Sequence, residues 1–455
     1  MTADRPGSRS LANTPAVVAK THEQPAGLAT RVAETITRFG LPAFIITLPL
    51  EFTATYLKLQ LARWVLLVVG LAFAYLLMIG RRALVIPLGT SLAVLVLYVF
   101  ESLASWAVTR APGSTNVVVD VIAYSAMAVL VVNLVRTEEA QRDAWVAFLI
   151  SGIGVALLIA FLHFTHLSIW RADPAGVRVN GTFGDPDIAA RFLTLGMCAG
   201  ILMFAGRKGP VQLAAAAAVT CTAFFAFTYS KSALLLYGFC AVIAGAAGAM
   251  WAGRKRALAI GAATLAVYFA ALALTPNTMP RIVRGIESIV AGSQNVVHPG
   301  PLVNQPQATS DLDIVRIYLI RSGLQMFRDH PIFGVGFGGY QHALLTHYRN
   351  FLPANPPATL SHSSAITIMS EQGLVGVVLV LAFLGLLLRE VIASLKRPTQ
   401  WRLWILIPAV VIVPIGLYSQ FEGRFIEEPY LWLALGLLYA ARTQESPIRS
   451  IELKA

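Results

Sequence analysis

Charge is what this chain has least of. Only 13% of its 455 residues are Asp, Glu, Lys or Arg, against 56% hydrophobic residues and a mean hydropathy of +0.68. A soluble globular domain carries about 25% charged residues, so a water-soluble fold is excluded. Cysteine is nearly absent. Cys198, Cys221 and Cys240 all lie in apolar runs, which implies neither a disulfide framework nor a zinc site. No apolar stretch with a cleavage site precedes Phe39, so residues 1–38, polar and containing Pro and Gly, are expected to be a disordered tail and not a secretory signal. Basic residues alternate with apolar runs and do not cluster with aromatics. The net charge of +12 is therefore topological, and no nucleic-acid partner is implied. No repeat of fixed period is visible.

Long apolar runs are what the chain does have. They recur along most of it, each about 18 residues or longer, enough to cross roughly 30 Å of hydrocarbon as a helix. Without water in that layer the backbone must pair within each segment, so the fold class is all-α, a polytopic membrane helix bundle of about twelve spans. They are expected at 39–56, 61–79, 84–105, 117–135, 144–165, 186–205, 211–228, 232–251, 257–275, 363–388, 403–421 and 429–441. The first and last are the least apolar, since Glu51 and Glu428 sit in or beside them. The chain divides into a cytoplasmic tail (1–38), spans one to nine (39–275), an extracytoplasmic loop (276–361), spans ten to twelve (362–441) and a second cytoplasmic tail (442–455).

Orientation follows from Lys and Arg bias in short loops. With the N-terminus inside, 21 of the 35 basic residues lie on the inner side, among them Arg81, Arg82, Arg136, Arg254, Lys255, Arg256, Arg397 and Arg402. Fourteen lie outside, six of them in the long loop, which the rule weighs little. Both termini are placed in the cytoplasm.

That loop, about 85 residues long, far exceeds what a connector needs, and long loops usually carry function. Residues 292–310, rich in Gly, Pro, Asn and Gln, read as irregular. Residues 311–329 place Ile314, Ile317, Ile320, Leu324 and Phe327 on one stripe, predicting an amphipathic helix suited to the membrane surface, which Pro331 ends. A glycine-dense turn, PIFGVGFGGY, follows, then a short helical piece with His342 and His347. Gly334, Gly336 and Gly339 approximate a dinucleotide fingerprint, but no strand precedes them, so the turn is read as a close backbone approach. His342 and His347 are five apart, not the i,i+4 of a helical metal pair.

The run RSGLQMFRDHPIFGVGFGGY followed by SHSSAITIMSEQGLVG resembles the signature of the O-antigen ligase and polymerase family, bacterial membrane glycosyltransferases acting on undecaprenyl-diphosphate-linked glycans. An upstream outer loop, VRVNGTFGDPDIAARF, matches the family's Arg, Gly-x-Phe and Asn/Asp-Pro pattern opening a span. A Ser-basic turn at Tyr229–Ser232 and a last outer loop, SQFEGRFIEEPYLW, agree with it. The resemblance runs from Arg178 to Trp432. It departs from the family at Lys231, where Arg is usual after Ser230, and at Ser363, where Asn is usual after the His. It implies a GT-C-like bundle in the bacterial inner membrane, an undecaprenyl-diphosphate-linked donor, a glycan or lipid acceptor and service in cell-envelope polysaccharide synthesis such as lipopolysaccharide. It also implies an inverting, metal-independent transfer without cofactor, with His362 as the catalytic base.

The residues fit that chemistry. A diphosphate leaving group needs cations, and Arg matches phosphate bidentately. Arg316 is expected as a catalytic residue beside His362, with Arg178, Arg191, Lys231 and Arg321 binding the diphosphate. Arg191 lies about one turn inside a span, where an unpaired charge is costly. A neutral imidazole at His362 can take the acceptor proton. Glu371, nine residues on, falls on the opposite helix face and is assigned a structural or cavity-lining role. Glu422 and Arg424, with Glu427 and Glu428, either line an acceptor groove or form a solvated rim. A transporter or flippase for a polysaccharide precursor is the alternative class; the long histidine-bearing loop favours the enzyme. Ligase and polymerase are not separated.

Overall fold

The computed structural model describes residues 27–169, 178–275, 280, 283, 312–348, 360–445 and 450–453. The expected tail over 1–26 and the irregular stretch 292–310 lie outside the described residues. All twelve expected apolar segments are helical. They correspond to α1 (Leu28–Thr47), α3 (Leu61–Met78), α4 (Thr90–Thr109), α5 (Thr115–Leu134), α6 (Glu138–Thr165), α7 (Pro186–Gly206), α8 (Val211–Phe224), α9 (Lys231–Gly248), α10 (Arg254–Leu274), α13 (Ser364–Leu395), α14 (Arg402–Glu422) and α15 (Pro429–Glu445). A short α2 (Thr53–Leu57) follows α1, and the long loop supplies α11 (Leu312–Asp329) and α12 (Tyr340–Thr346). Among the described residues, nine stretches are long and apolar enough to cross a membrane. One of them, Lys231–Leu274, holds two expected spans joined through a π turn at Ala249–Gly253. The chain is a multi-pass, all-α membrane protein.

Three boundaries differ from expectation. Helix α1 begins at Leu28, eleven residues before the expected span. Thr30, Ala33, Thr37, Leu41 and Phe44 form its buried stripe, while Arg31, Glu34 and Arg38 occupy the other face and mask the signal. The expected tail 1–38 is thus helical from Leu28 onward. The third span starts at Thr90, because Leu84–Pro87 is instead a strand, β1. Pro87 has no N–H to give a helix ladder, which disfavours carrying the span back through it. The buried Asn133 side chain holds Val85 on both sides, accepting from its N–H at 2.6 Å and donating to its carbonyl at 3.0 Å. The third difference is in the second tail, where Ser450–Leu453, β2, pairs antiparallel to β1.

Helix α7 is the bundle's centre, buried on nearly every side, from Ala189 to Met203. It packs on α6, α8, α9, α10 and α14. A helix apolar all round belongs in such a position. The three cysteines are free and buried. Glu390, near the end of α13, accepts from Thr90 Oγ1 at 2.7 Å and Ser91 Oγ at 2.6 Å and pairs with Arg442 of α15. This knot and the β1–β2 pair mark one end of the bundle; Glu51, His362 and Glu428 mark the other.

Helix α13 is interrupted at Gly373 (φ 61°, ψ −152°), and the interruption docks the long loop. The freed N–H groups of Leu374 and Val375 donate to the carbonyls of Pro331 and Ile332 at 2.8 and 3.2 Å. In return, Val335 and Gly336 donate to the carbonyls of Ser370 and Glu371 at 2.8 and 2.9 Å. Backbone groups that a broken span would leave unpaired are thereby satisfied. The glycine turn approaches the bundle, as its composition predicts. A Cβ on Gly334 would lie 2.3 Å from the Glu371 backbone, and Gly334, Gly336 and Gly338 all have positive φ.

Candidate active site

The polar site grows out of four chain segments meeting at one end of α7. Asp185 caps α7, accepting from Asp187 N–H at 2.7 Å, with Pro186 in the first turn. Ahead of the cap, the Gly181–Asp185 loop is tied to the turn after α1. Thr182 Oγ1 donates to the Pro49 carbonyl at 2.6 Å, and Gly184 N–H donates to Glu51 at 3.1 Å. Asp187 holds Arg178 at 2.9 Å. The third segment is the turn into α13. Ser361 Oγ donates to the Ser363 carbonyl at 2.7 Å and accepts from Ser363 N–H at 3.1 Å, forcing His362 into the left-handed region at φ 56°. The fourth is the α14–α15 loop, where Gly423 packs against the His362 backbone; a Cβ there would lie 3.1 Å from its nitrogen.

Together these segments enclose a cavity of about 450 Å³. Its lining includes Arg178, Arg191, Arg316, His362, Glu422 and Arg424, all anticipated from the sequence. Lys231 and Arg321, expected to bind the diphosphate, are not among its lining residues. Ser230 caps α9 through Ala233 N–H at 3.2 Å, which fixes Lys231 at that helix start, and Arg321 lies beside Tyr318 on α11. Residues missed in the sequence complete the wall. Gln60, Arg63, Asp120 and Tyr124 form its far side, where Arg63 donates to Asp120 at 2.7 Å and Tyr124 at 3.3 Å; Glu51 and Asp185 also line it. Polar residues at the outer ends of apolar helices were the available signal.

The cavity is not a simple cationic funnel. It holds five arginines and seven carboxylates, so any anion must compete with built-in counter-ions. Arg191, 3% exposed in its side chain, is clamped between Glu422 and Glu428. The clamp answers the cost of a buried charge, and it binds α7 to both ends of the α14–α15 loop. Arg191 Nε and one oxygen each of Glu422 and Glu428 have no hydrogen-bond partner among the described residues. Burial pushes Glu51 up to about 7 and raises Asp185, Glu427 and Glu428, so the acidic wall is partly neutralised near neutral pH. Burial, then the neighbouring Arg316 guanidinium, lowers His362 below its ordinary 6.5, although Asp187 and a hydrogen bond to the Phe421 backbone oppose this. The imidazole is therefore neutral at pH 7. With its N–H engaged by a backbone group, the tautomer is set.

Glu371 stands apart from His362, as the helical spacing requires. Its carboxylate accepts from Gly338 N–H at 2.9 Å and Tyr340 N–H at 3.0 Å, pinning the glycine turn and α12. Glu371→Ala should cost roughly 1–3 kcal/mol by orphaning two N–H groups, and Glu371→Gln should cost less. Thermal unfolding in detergent measures both, and equal stability of all three proteins would refute the anchor. Among the described residues no group of three or more His, Cys, Asp or Glu has metal-holding geometry.

Residues 216–381 match the family model described as O-antigen ligase. Comparison of the whole chain with curated proteins gives no significant match. The matched segment contains Arg316 and His362, which line the cavity, and the glycine turn with its anchor Glu371. It supports the glycosyltransferase class and lends nothing to the transporter alternative. The polytopic helical fold and the order of the motifs agree with this match, and over residues 216–381 the membrane chain is similar to the O-antigen ligase family.

Proposed function

We propose that the protein transfers a glycan from undecaprenyl diphosphate to an acceptor hydroxyl on the outer face of the bacterial inner membrane. The observation that carries this reading is that His362 and Arg316 line one polar cavity at the ends of the spans. The acceptor O–H attacks the anomeric carbon as the C–O bond to the diphosphate breaks on the opposite face, inverting that carbon. His362 takes the hydroxyl proton, and undecaprenyl diphosphate departs with the bonding pair. Arg316, with Arg178 and Arg424, neutralises the departing phosphates, a role in which charge-assisted hydrogen bonds are strongest. In this reading the arginines supply the positive charge and the step needs no metal ion. Arg191 serves as the hub that orients Glu422 and Glu428 toward the acceptor. Both termini lie in the cytoplasm, and the loop 276–361 is extracytoplasmic.

Purified protein reconstituted with a lipid-linked glycan and candidate acceptors should form product equally with and without a chelator. Arg316→Gln should lower turnover by about 10²–10³-fold, the usual cost of one group stabilising developing charge. Loss of product on chelation would overturn the metal-independent step; full activity in Arg316→Gln would overturn the assignment of that residue.

A further inference from the structure

One wall of the polar cavity has no part in the chemistry described above. Gln60 precedes α3, Arg63 lies in its first turn, and Asp120 and Tyr124 stand one turn apart on the same face of α5. An aspartate inside an apolar span is costly unless it is paired or serves a site. Asp120 is paired: Arg63 donates to it at 2.7 Å and to the Tyr124 hydroxyl at 3.3 Å. The wall is nevertheless not saturated. Arg63 Nε is buried and has no hydrogen-bond partner among the described residues. Tyr430, 2% exposed, carries a hydroxyl that also has none among the described residues. That hydroxyl is within electrostatic reach of Glu51, Glu428, Arg191 and Tyr124, all of which line the cavity. One oxygen of Glu428 and Arg191 Nε belong to the same unsatisfied group.

Two N–H donors, a carboxylate oxygen and a hydroxyl that can do both thus gather at one end of the cavity. Left unpaired, each costs free energy, and a ligand that alternates donors with acceptors relieves all of them. The charges at this end are balanced internally, Arg63 by Asp120 and Arg191 by two glutamates, so the wall favours no anion. A neutral ring bearing several hydroxyls fits that description. Arg316 acts on a different set, His362 and Asp185. Phosphates and ring therefore take separate parts of the cavity, as an inverting step requires of leaving group and acceptor. We propose that Arg63, Asp120 and Tyr430 form a specificity subsite for a pyranose ring, so that the acceptor is a sugar whose neighbouring hydroxyls are read there. The assignment rests on the transferase reading above. Asp120 accepts from one ring hydroxyl and Arg63 donates to the next, leaving the attacking hydroxyl to His362.

Methyl glucoside, methyl galactoside and methyl mannoside test it, as acceptors or inhibitors of transfer from a reconstituted lipid-linked glycan. The last two each differ from the first in the orientation of one hydroxyl. Wild-type protein should prefer one of the three by at least about ten-fold in KM or Ki, the worth of one charge-assisted hydrogen bond. Asp120→Asn should raise that value about ten-fold and shrink the preference to under about two-fold, with the KM of the donor unchanged. A plain tie between α3 and α5 predicts otherwise, and the exchanged pair Arg63→Asp with Asp120→Arg separates the two. The exchange keeps an ion pair, so it should restore the unfolding midpoint that either single change lowers, yet not the sugar preference. Recovery of both would overturn the subsite, as would equal values for the three sugars in wild type or a rise in donor KM alone. Saturation-transfer NMR of the same glycosides on protein in nanodiscs needs no turnover. Binding that Asp120→Asn abolishes, in a wild type that transfers from no lipid-linked glycan, would sink the transferase reading and keep the subsite. No binding of any of the three would sink the subsite alone.

Discussion

Replacing His362 by alanine should lower the turnover of glycan transfer by about 10²–10⁴-fold, the usual contribution of a positioned general base. Alanine at φ 56° also brings backbone strain, so His362→Asn is the sharper variant. Asparagine tolerates the left-handed region and cannot act as the base. Both variants should keep wild-type detergent unfolding behaviour within about 1–2 kcal/mol. Both should fall in kcat far more than they rise in KM. The pH profile gives an independent check. Because burial and Arg316 lower His362, the neutral base persists below its ordinary 6.5, and the acid limb of the wild-type profile should lie under that value. Arg316→Gln removes one lowering influence and should move the limb upward, toward 6.5. An unchanged limb in Arg316→Gln, or full turnover in His362→Asn, would remove His362 from the mechanism.

Arg191→Leu should be the most destabilising single change at the site, costing about 3–5 kcal/mol, because it strands two buried carboxylates. Arg191 reaches Glu422 and Glu428 across 231 and 237 residues of sequence, so it ties the centre of the bundle to the α14–α15 loop. Glu422→Gln with Glu428→Gln, added to Arg191→Leu, should recover part of the loss by removing the stranded charges. Thermal unfolding and size-exclusion behaviour in detergent measure the series. A triple variant no more stable than Arg191→Leu would show that shape, not charge, makes the residue matter.

Several site features could be read from order along the chain. His362, Arg316 and the Asp185–Pro186 helix start sit where a motif meets a span boundary, and the cavity includes all three neighbourhoods. The glycine turn was legible as a close approach, since Gly334, Gly336 and Gly338 all adopt positive φ. Arg321 was assigned from charge and side of the membrane, Lys231 from these and the Ser-basic turn, and neither is among the residues that line the cavity. Charge gives no direction, and direction is what a site needs. Glu51 was read as a defect in the first span; it lies beyond α1 and receives Gly184 N–H at the cavity wall. Arg63 and Asp120, which the sequence did not single out, lie near the starts of α3 and α5, and those helices bring them to 2.7 Å.

The sequence by itself determined the membrane class, all twelve helical segments and the helix over 312–329. The hydrocarbon layer imposes a local rule, that each crossing segment satisfy its own backbone, and a local rule leaves its mark in consecutive residues. Tertiary structure alone decided that Arg63, Arg178 and Arg191 arrive with carboxylate partners, that Glu371 anchors the glycine turn and that α13 and α14 part to leave a groove. Those outcomes depend on which helix faces meet. Helix rotation is fixed by packing between residues far apart in the chain, and hydropathy, which sees length and polarity, carries no record of it.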